Sequence, residues 1–201
     1  MLLMNRDKIF SSEQGWGPIL DKLFPRGLML IDFDHHRADR RALSIAFKPG
    51  PMRHYADALN RGIAKRVEEW GGDGSGAEML FYPSIKELTL DLAADSFIGI
   101  PWGPEADRIN TAFVDMVQAS VAPVRKPLPF TQMKRGVDGR AYLVDYFTRE
   151  THRRRAEGGG QDMFSQFATA EYDDGSLMPV DEVVDHMNFL MMAAHDTITS
   201  S

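Results

Sequence analysis

The stretch MNFLMMAAHDT, residues 187–197, decides the fold of this chain. Its first eight residues, all apolar except Asn188, place apolar side chains on every face of a helix, so the helix is expected to lie buried inside a larger helical domain. Pro179 fits the first helical position, and Asp181, Glu182 and Asp185 supply negative charge to the first turns. The helix then runs into polar residues, which predicts either a wet groove with a ligand or a helix end that emerges into solvent.

Outside this stretch, apolar residues recur at helical spacing between clusters of Gly and Pro. LMLI at 28–31 is the best candidate for a strand. The sequence therefore predicts a mainly α fold, with further helices at 33–47, 52–70, 84–98, 105–121, 139–155 and 162–172.

Composition narrows the function classes. The chain has 201 residues, enough for one domain, and its net charge of -6 argues against a nucleic-acid partner. No apolar run is long enough to span a bilayer, and the first ten residues lack a signal peptide's apolar segment, so a cytoplasmic protein is expected. The sequence contains no cysteine, which excludes disulfides and thiolate metal sites within these residues.

A second stretch, HRADRRALSIAF at 36–47, carries a candidate binding motif. His36 and Arg40 are four residues apart and share a helix face, which Leu43 and Phe47 continue. A cation and an imidazole at one end of an apolar stripe could bind the carboxylates of a hydrophobic ligand. The alternative is an arginine-rich face in solvent.

Read together, the two stretches resemble the cytochrome P450 family. HRADR resembles the family's C-helix pattern, in which Trp or His is followed after three residues by Arg. AAHDT resembles the I-helix signature [AG]-G-x-[DE]-T, with Ala193 at the first small position and Ala194 where glycine is usual. The resemblance covers essentially the whole chain, from about the B-helix to the I-helix.

The resemblance implies that residues 1–201 are a single partial P450 domain, incomplete at both ends and truncated before the haem-ligand region. It implies that His36 and Arg40 bind the haem propionates, and that Ala193 and Ala194 let the haem approach the helix. Phe189 and Met192, together with Ala193, would face the substrate.

The resemblance also implies a chemistry. Asp196 and Thr197 would be the acid–alcohol pair that delivers protons during oxygen activation. The parent enzyme would be a haem-thiolate monooxygenase of the soluble bacterial kind, which inserts one oxygen atom from O2 into a small apolar organic substrate. A ferredoxin or a reductase would supply the electrons. Because the axial cysteine is absent from these residues, the chain alone is expected to be inactive.

Two other functions stay open. A helical binding module could keep the same shape without catalysis. His195 and Asp196 form an HD pair on a helix, which is also a feature of metal-dependent HD-type phosphohydrolases.

Overall fold

The computed structural model describes residues 8–71 and 78–199, with side chains described for 8–70 and 78–193. A 3₁₀ turn, Ser44–Phe47, extends the second helix, and a π-helical turn, Ala94–Ile98, extends the fourth. Within the described ranges the chain forms α1 (Ser12–Leu20), α2 (Phe33–Leu43), α3 (Pro49–Gly71), α4 (Phe81–Ala93), α5 (Pro104–Ser120), α6 (Gln132–Glu157), α7 (Met163–Ala168) and α8 (Val180–Thr199).

The mainly α prediction is confirmed. Over the described ranges, extended pairing is limited to one isolated bridge between Glu171 and Leu177. Helix α6 packs against both α5 and α8, and α4 packs against α8. The large side chains between these helices, among them Phe113, Phe147 and Met187, are fully buried. In the same part of the chain, no helix is both long enough and apolar enough to cross a bilayer.

The start of α6 differs from the prediction. The helix begins at Gln132 rather than at residue 139, and the Thr131 hydroxyl caps it by accepting a hydrogen bond from the Lys134 N–H. Glycine weakens a helix by about 1 kcal/mol relative to alanine, and for that reason sequence reasoning places the boundary too late.

The two glycines near the start of α6 allow close contact with α5. A Cβ atom at Gly136 would lie 2.2 Å from the Cβ of Ala119, and one at Gly139 would lie 2.5 Å from the Ala112 carbonyl oxygen. Any larger residue would push the helices apart. Here glycine serves packing between helices, and it ends neither of them.

The predicted strand at 28–31 is wrong, because these residues form turns. The Leu30 N–H donates to the Gly27 carbonyl oxygen at 2.7 Å, which closes a tight turn. Leu30 and Ile31 are buried, so their apolar character reflects packing into the core. A Cβ atom on Gly27 would lie 2.2 Å from Phe189, so the segment runs directly against α8.

Two shorter helices also differ from expectation. Residues 12–20 form α1 although they contain two glycines and Pro18, and the Ser11 hydroxyl caps it by accepting from the Gln14 N–H. Helix α7 ends at Ala168 rather than at 172. A tight turn follows at 173–175, with Gly175 in the left-handed region at φ 81°.

Candidate functional site

A cleft of about 790 Å³ lies between α2, α8 and the segment before α2. His36 and Arg40 line it from α2, and Phe189 and Ala193 line it from α8. Phe189 and Ala193 are four residues apart, so they share one face of their helix. The fold therefore brings part of each motif, from opposite ends of the chain, to a single cleft.

The rest of the cleft wall mixes apolar side chains with polar and charged ones. Its volume lies within the range of about 300–1,000 Å³ typical of small-molecule sites. Cationic groups at Lys8 and Arg37 add to those of the motif, and Asp32 is the acidic group in the described lining. Such a wall suits an apolar ligand that carries acidic groups. The apolar lining from the N-terminal segments comprises Phe10, Leu28, Met29, Ile31 and Phe33.

Three arginines lie on α2, and their partners distinguish them. Arg37 donates to Asp34 at 2.9 Å, and Arg41 pairs with Asp173. Arg40 makes no hydrogen bond or ion pair with any residue that the structure describes. Its five guanidinium donors are therefore available to a ligand in the cleft.

The Asp32 carboxylate joins the start of α1 to the start of α2 beside the cleft. It accepts hydrogen bonds from the Ser11 hydroxyl and from the backbone N–H groups of Ser12, at 2.8 Å, and Glu13. Burial acts to raise the pKa of Asp32, but these hydrogen bonds and the nearby His36 imidazole outweigh it and lower the pKa. The start of α1 is thereby fixed against the start of α2.

Asp185 fixes the segment before α2 against the core. Its buried carboxylate accepts from Arg26 Nε at 2.9 Å and from Arg140 Nη2 at 3.1 Å. Arg140 Nε also donates to the Leu23 carbonyl oxygen at 3.2 Å. One acid on α8 thus holds the chain around residues 23–26 and the first half of α6 in place.

The structure describes the remaining predicted site residues only in part. Met192 is half-buried and packs against the core. Ala194, Asp196 and Thr197 belong to the helical backbone of α8, but their side chains lie outside the described residues. Their roles therefore stay predictions.

Sequence reasoning missed a buried polar contact between α2 and α8. The His186 Nε2 lies 2.9 Å from Asp39 Oδ2, and both side chains are almost fully buried. Burial acts to raise the pKa of Asp39, but hydrogen bonds to His186 and Tyr172 outweigh it and lower the pKa. Spacing places His35 with Asp39 on α2 and Glu182 with His186 on α8, but it gives no signal that Asp39 and His186 meet.

Comparison with known proteins gives the chain relatives over its whole length. A Mycobacterium tuberculosis protein named cytochrome P450 136 is 37% identical over 205 aligned residues, covering 100% of this chain and 41% of the relative. Cytochrome P450 120 from Synechocystis is 25% identical, covering 89% of this chain and 39% of its own length. The chain thus spans about two fifths of the curated relatives it matches. No family model matches it.

Solved structures show the same fold. A cyanobacterial P450, CYP120A1, solved with retinoic acid bound, superimposes with a TM-score of 0.77 at 24% identity, over 90% of this chain and 41% of that one. The haem domain of cytochrome P450DA superimposes with a TM-score of 0.79 at 15% identity, over 98% of this chain and 46% of that one. The eight helices therefore match the helical part of these domains.

Proposed function

Since the chain belongs to the cytochrome P450 family, we propose that it supplies the propionate-binding helix, the oxygen-activation helix and part of the substrate wall of a haem monooxygenase. The chain corresponds to about 41% of the Mycobacterium tuberculosis relative, so the activity of a whole enzyme is part of this proposal. The expectation that residues 1–201 form one partial domain belongs to it as well.

The observation that carries the proposal is the shared cleft. Haem is a flat apolar ring with two propionate carboxylates, and the cleft combines an apolar wall with Arg40. A guanidinium binds a carboxylate through two parallel hydrogen bonds, and Arg40 has all its donors free for this among the described residues. His36 would add a second donor on the same face of α2.

When bound with an axial thiolate, haem would activate O2 for insertion of one oxygen atom into the substrate. These 201 residues contain no cysteine, so the thiolate would have to come from outside them. Within the chain, the small Ala193 and Ala194 would leave room for the ring beside α8. Phe189, Met192 and Ala193 would offer apolar surface to a small organic substrate. Asp196 and Thr197 would hold and transfer protons, and a ferredoxin or reductase would supply electrons.

The proposed cofactor site can be tested on the chain alone by titration with iron protoporphyrin IX, followed by absorbance. We expect Arg40→Ala to weaken binding by about 10- to 100-fold, because hydrogen bonds to charged groups contribute about 1.5–3 kcal/mol. Arg37→Ala is the matched control, since Arg37 lies on the same helix but pairs with Asp34. It should leave binding nearly unchanged.

The dimethyl ester of the same porphyrin separates propionate binding from apolar contact. If Arg40 binds a propionate, the ester should bind the parent and the Arg40→Ala variant equally well. Equal loss in the Arg37 and Arg40 variants, or an Arg40 effect that persists with the ester, would contradict the assigned role.

The proton-transfer role needs a protein that has the thiolate. Residues 1–201 can replace the aligned segment of the Mycobacterium tuberculosis relative. In that chimera, Thr197→Ala should reduce product formed per electron consumed, with a rate loss of about 100-fold, the lower end for a lost proton-transfer group. Unchanged coupling would remove Thr197 from the mechanism.

Neither alternative function gains support. The relatives and solved structures named above are all cytochromes P450. The side chains of the HD pair, His195 and Asp196, lie outside the described residues.

A further inference from the structure

A second groove, of about 430 Å³, is lined by residues of α2 and α8 that differ from those of the cleft proposed to hold haem, here called the haem cleft. His35, Asp39 and Glu182 line it, and each offers one ligand atom within 4.8 Å of the others. Asp39 is buried, Glu182 is half-buried, and the His35 side chain is 46% exposed. The three groups therefore meet at the floor of a groove that solvent can reach.

The two distances from His35 match the spacing of ligand atoms around a small metal ion. His35 Nε2 lies 3.3 Å from Asp39 Oδ2 and 3.5 Å from Glu182 Oε1. Both contacts are longer than the usual N–H···O hydrogen bond of about 2.9–3.0 Å. Zinc bonds of about 2.0–2.2 Å in a tetrahedron place neighbouring ligand atoms roughly 3.3–3.5 Å apart.

Two further side chains orient the carboxylates. The Tyr172 hydroxyl lies 2.9 Å from Asp39 Oδ1 and 2.5 Å from Glu182 Oε2, so it occupies the other oxygen of each acid. His186 Nε2 lies 2.9 Å from Asp39 Oδ2, the same oxygen that faces His35, and the His186 Nδ1 is buried without a partner in the described structure. Such outer contacts fix metal-binding carboxylates in proteins. Glu182 Oε1 and the second lone pair of Asp39 Oδ2 are therefore left for a cation.

The charge in the groove also favours a cation. Tyr172 has one hydroxyl proton for two carboxylates, so it can satisfy only one of them as a donor. Asp173 and Asp174 add two more acids to the lining, and Arg41 pairs with Asp173 rather than with Asp39 or Glu182. His35 is the basic group among the described lining residues.

We propose that His35, Asp39 and Glu182 bind a divalent transition-metal ion of the zinc class, with water from the groove at the fourth position. The ion would join α2 to the first turns of α8, the two helices that line the haem cleft. This site is independent of the proposed haem chemistry, because it uses none of the residues assigned to the porphyrin.

The test is a titration of the chain with Co2+, whose visible absorbance reports a tetrahedral site, followed by displacement with Zn2+. We expect one equivalent to bind. His35→Ala should weaken binding at least 10-fold, and Glu182→Gln should do the same. His152→Ala is the control, because His152 is an exposed histidine on α6, and it should bind like the parent.

Tyr172→Phe distinguishes a built site from chance contact with surface histidines. It keeps all three ligands but removes the orienting hydroxyl, and loss of such a group typically costs 10- to 100-fold in affinity. Circular dichroism establishes that each protein is helical. The proposal fails if the folded parent shows no saturable binding, or if His35→Ala binds as tightly as His152→Ala. Arg40→Ala should leave metal binding unchanged, so the two proposed sites can fail separately.

Discussion

Replacement of Asp185 by asparagine tests how the cleft is held together. The carboxylate is 4% exposed and accepts hydrogen bonds from Arg26 and Arg140. Asparagine keeps the shape but carries no charge, and its amide group directs an N–H donor toward an arginine donor. The substitution should therefore loosen residues 23–26 from α8 and α6.

The expected loss follows from the exposure of the partners. Two hydrogen bonds to a charged group contribute about 1.5–3 kcal/mol each, which sets an upper limit of about 6 kcal/mol. Arg26 and Arg140 are 42% and 27% exposed, so both can recover part of this from water. We expect Asp185→Asn to reduce the free energy of unfolding by about 2–3 kcal/mol.

Urea unfolding followed by circular dichroism measures this loss, with Asp181→Asn as the matched control. Asp181 contacts the same Arg26 at 2.7 Å, but its side chain is 61% exposed. Exposed pairs contribute about 0–1 kcal/mol, so the control should change little. Equal losses in the two variants would refute the reasoning, because they would show that burial of Asp185 does not matter.

Two further predictions concern stability. Gly139→Ala should reduce the free energy of unfolding in urea by about 1–3 kcal/mol, because the new Cβ would meet the backbone of α5. Gly15→Ala on α1 is the control: its Cβ would meet nothing within 4 Å, and it should stabilise the chain by about 0.5–1 kcal/mol. A change of the same sign in both variants would contradict the packing argument. The pKa of Asp32 is lowered on folding from its ordinary value of 3.8, so its contribution is present above that value and is lost as the pH falls through the folded-state pKa. The difference in urea midpoint between the parent and Asp32→Asn should therefore be larger at pH 5 than in strong acid, and a constant difference would contradict it.

Helical periodicity in the sequence is enough to predict a mainly α fold, and it places most of the long helices within a few residues. It fails where tertiary packing or a local turn, rather than helical spacing, determines which residue occupies a position. Gly136 and Gly139 look like helix breakers until Ala112 and Ala119 of α5 are known to lie against them. The apolar residues 28–31 look like a strand, but Leu30 turns back onto Gly27.

The candidate site shows the same division. Spacing alone places His36 and Arg40 on one face, and Phe189 and Ala193 on another. It cannot say that the two faces meet, and the family resemblance supplies that expectation before the structure does. Spacing supports a second pair, His35 and Asp39, as strongly as it supports His36 and Arg40. The environment of that second pair is set by Tyr172 and Glu182, which lie far along the chain.

The arginines of α2 show what distinguishes a binding residue from a structural one. By charge alone, Arg37, Arg40 and Arg41 are equivalent cations on one helix. The partner of Arg37 is local, three residues away, and can be anticipated from helical spacing. The partner of Arg41 is Asp173, which only the tertiary fold brings near. The proposal that Arg40 binds a propionate comes from the family resemblance, and it is supported by a fold that gives partners to the neighbouring arginines and, within the described residues, none to Arg40.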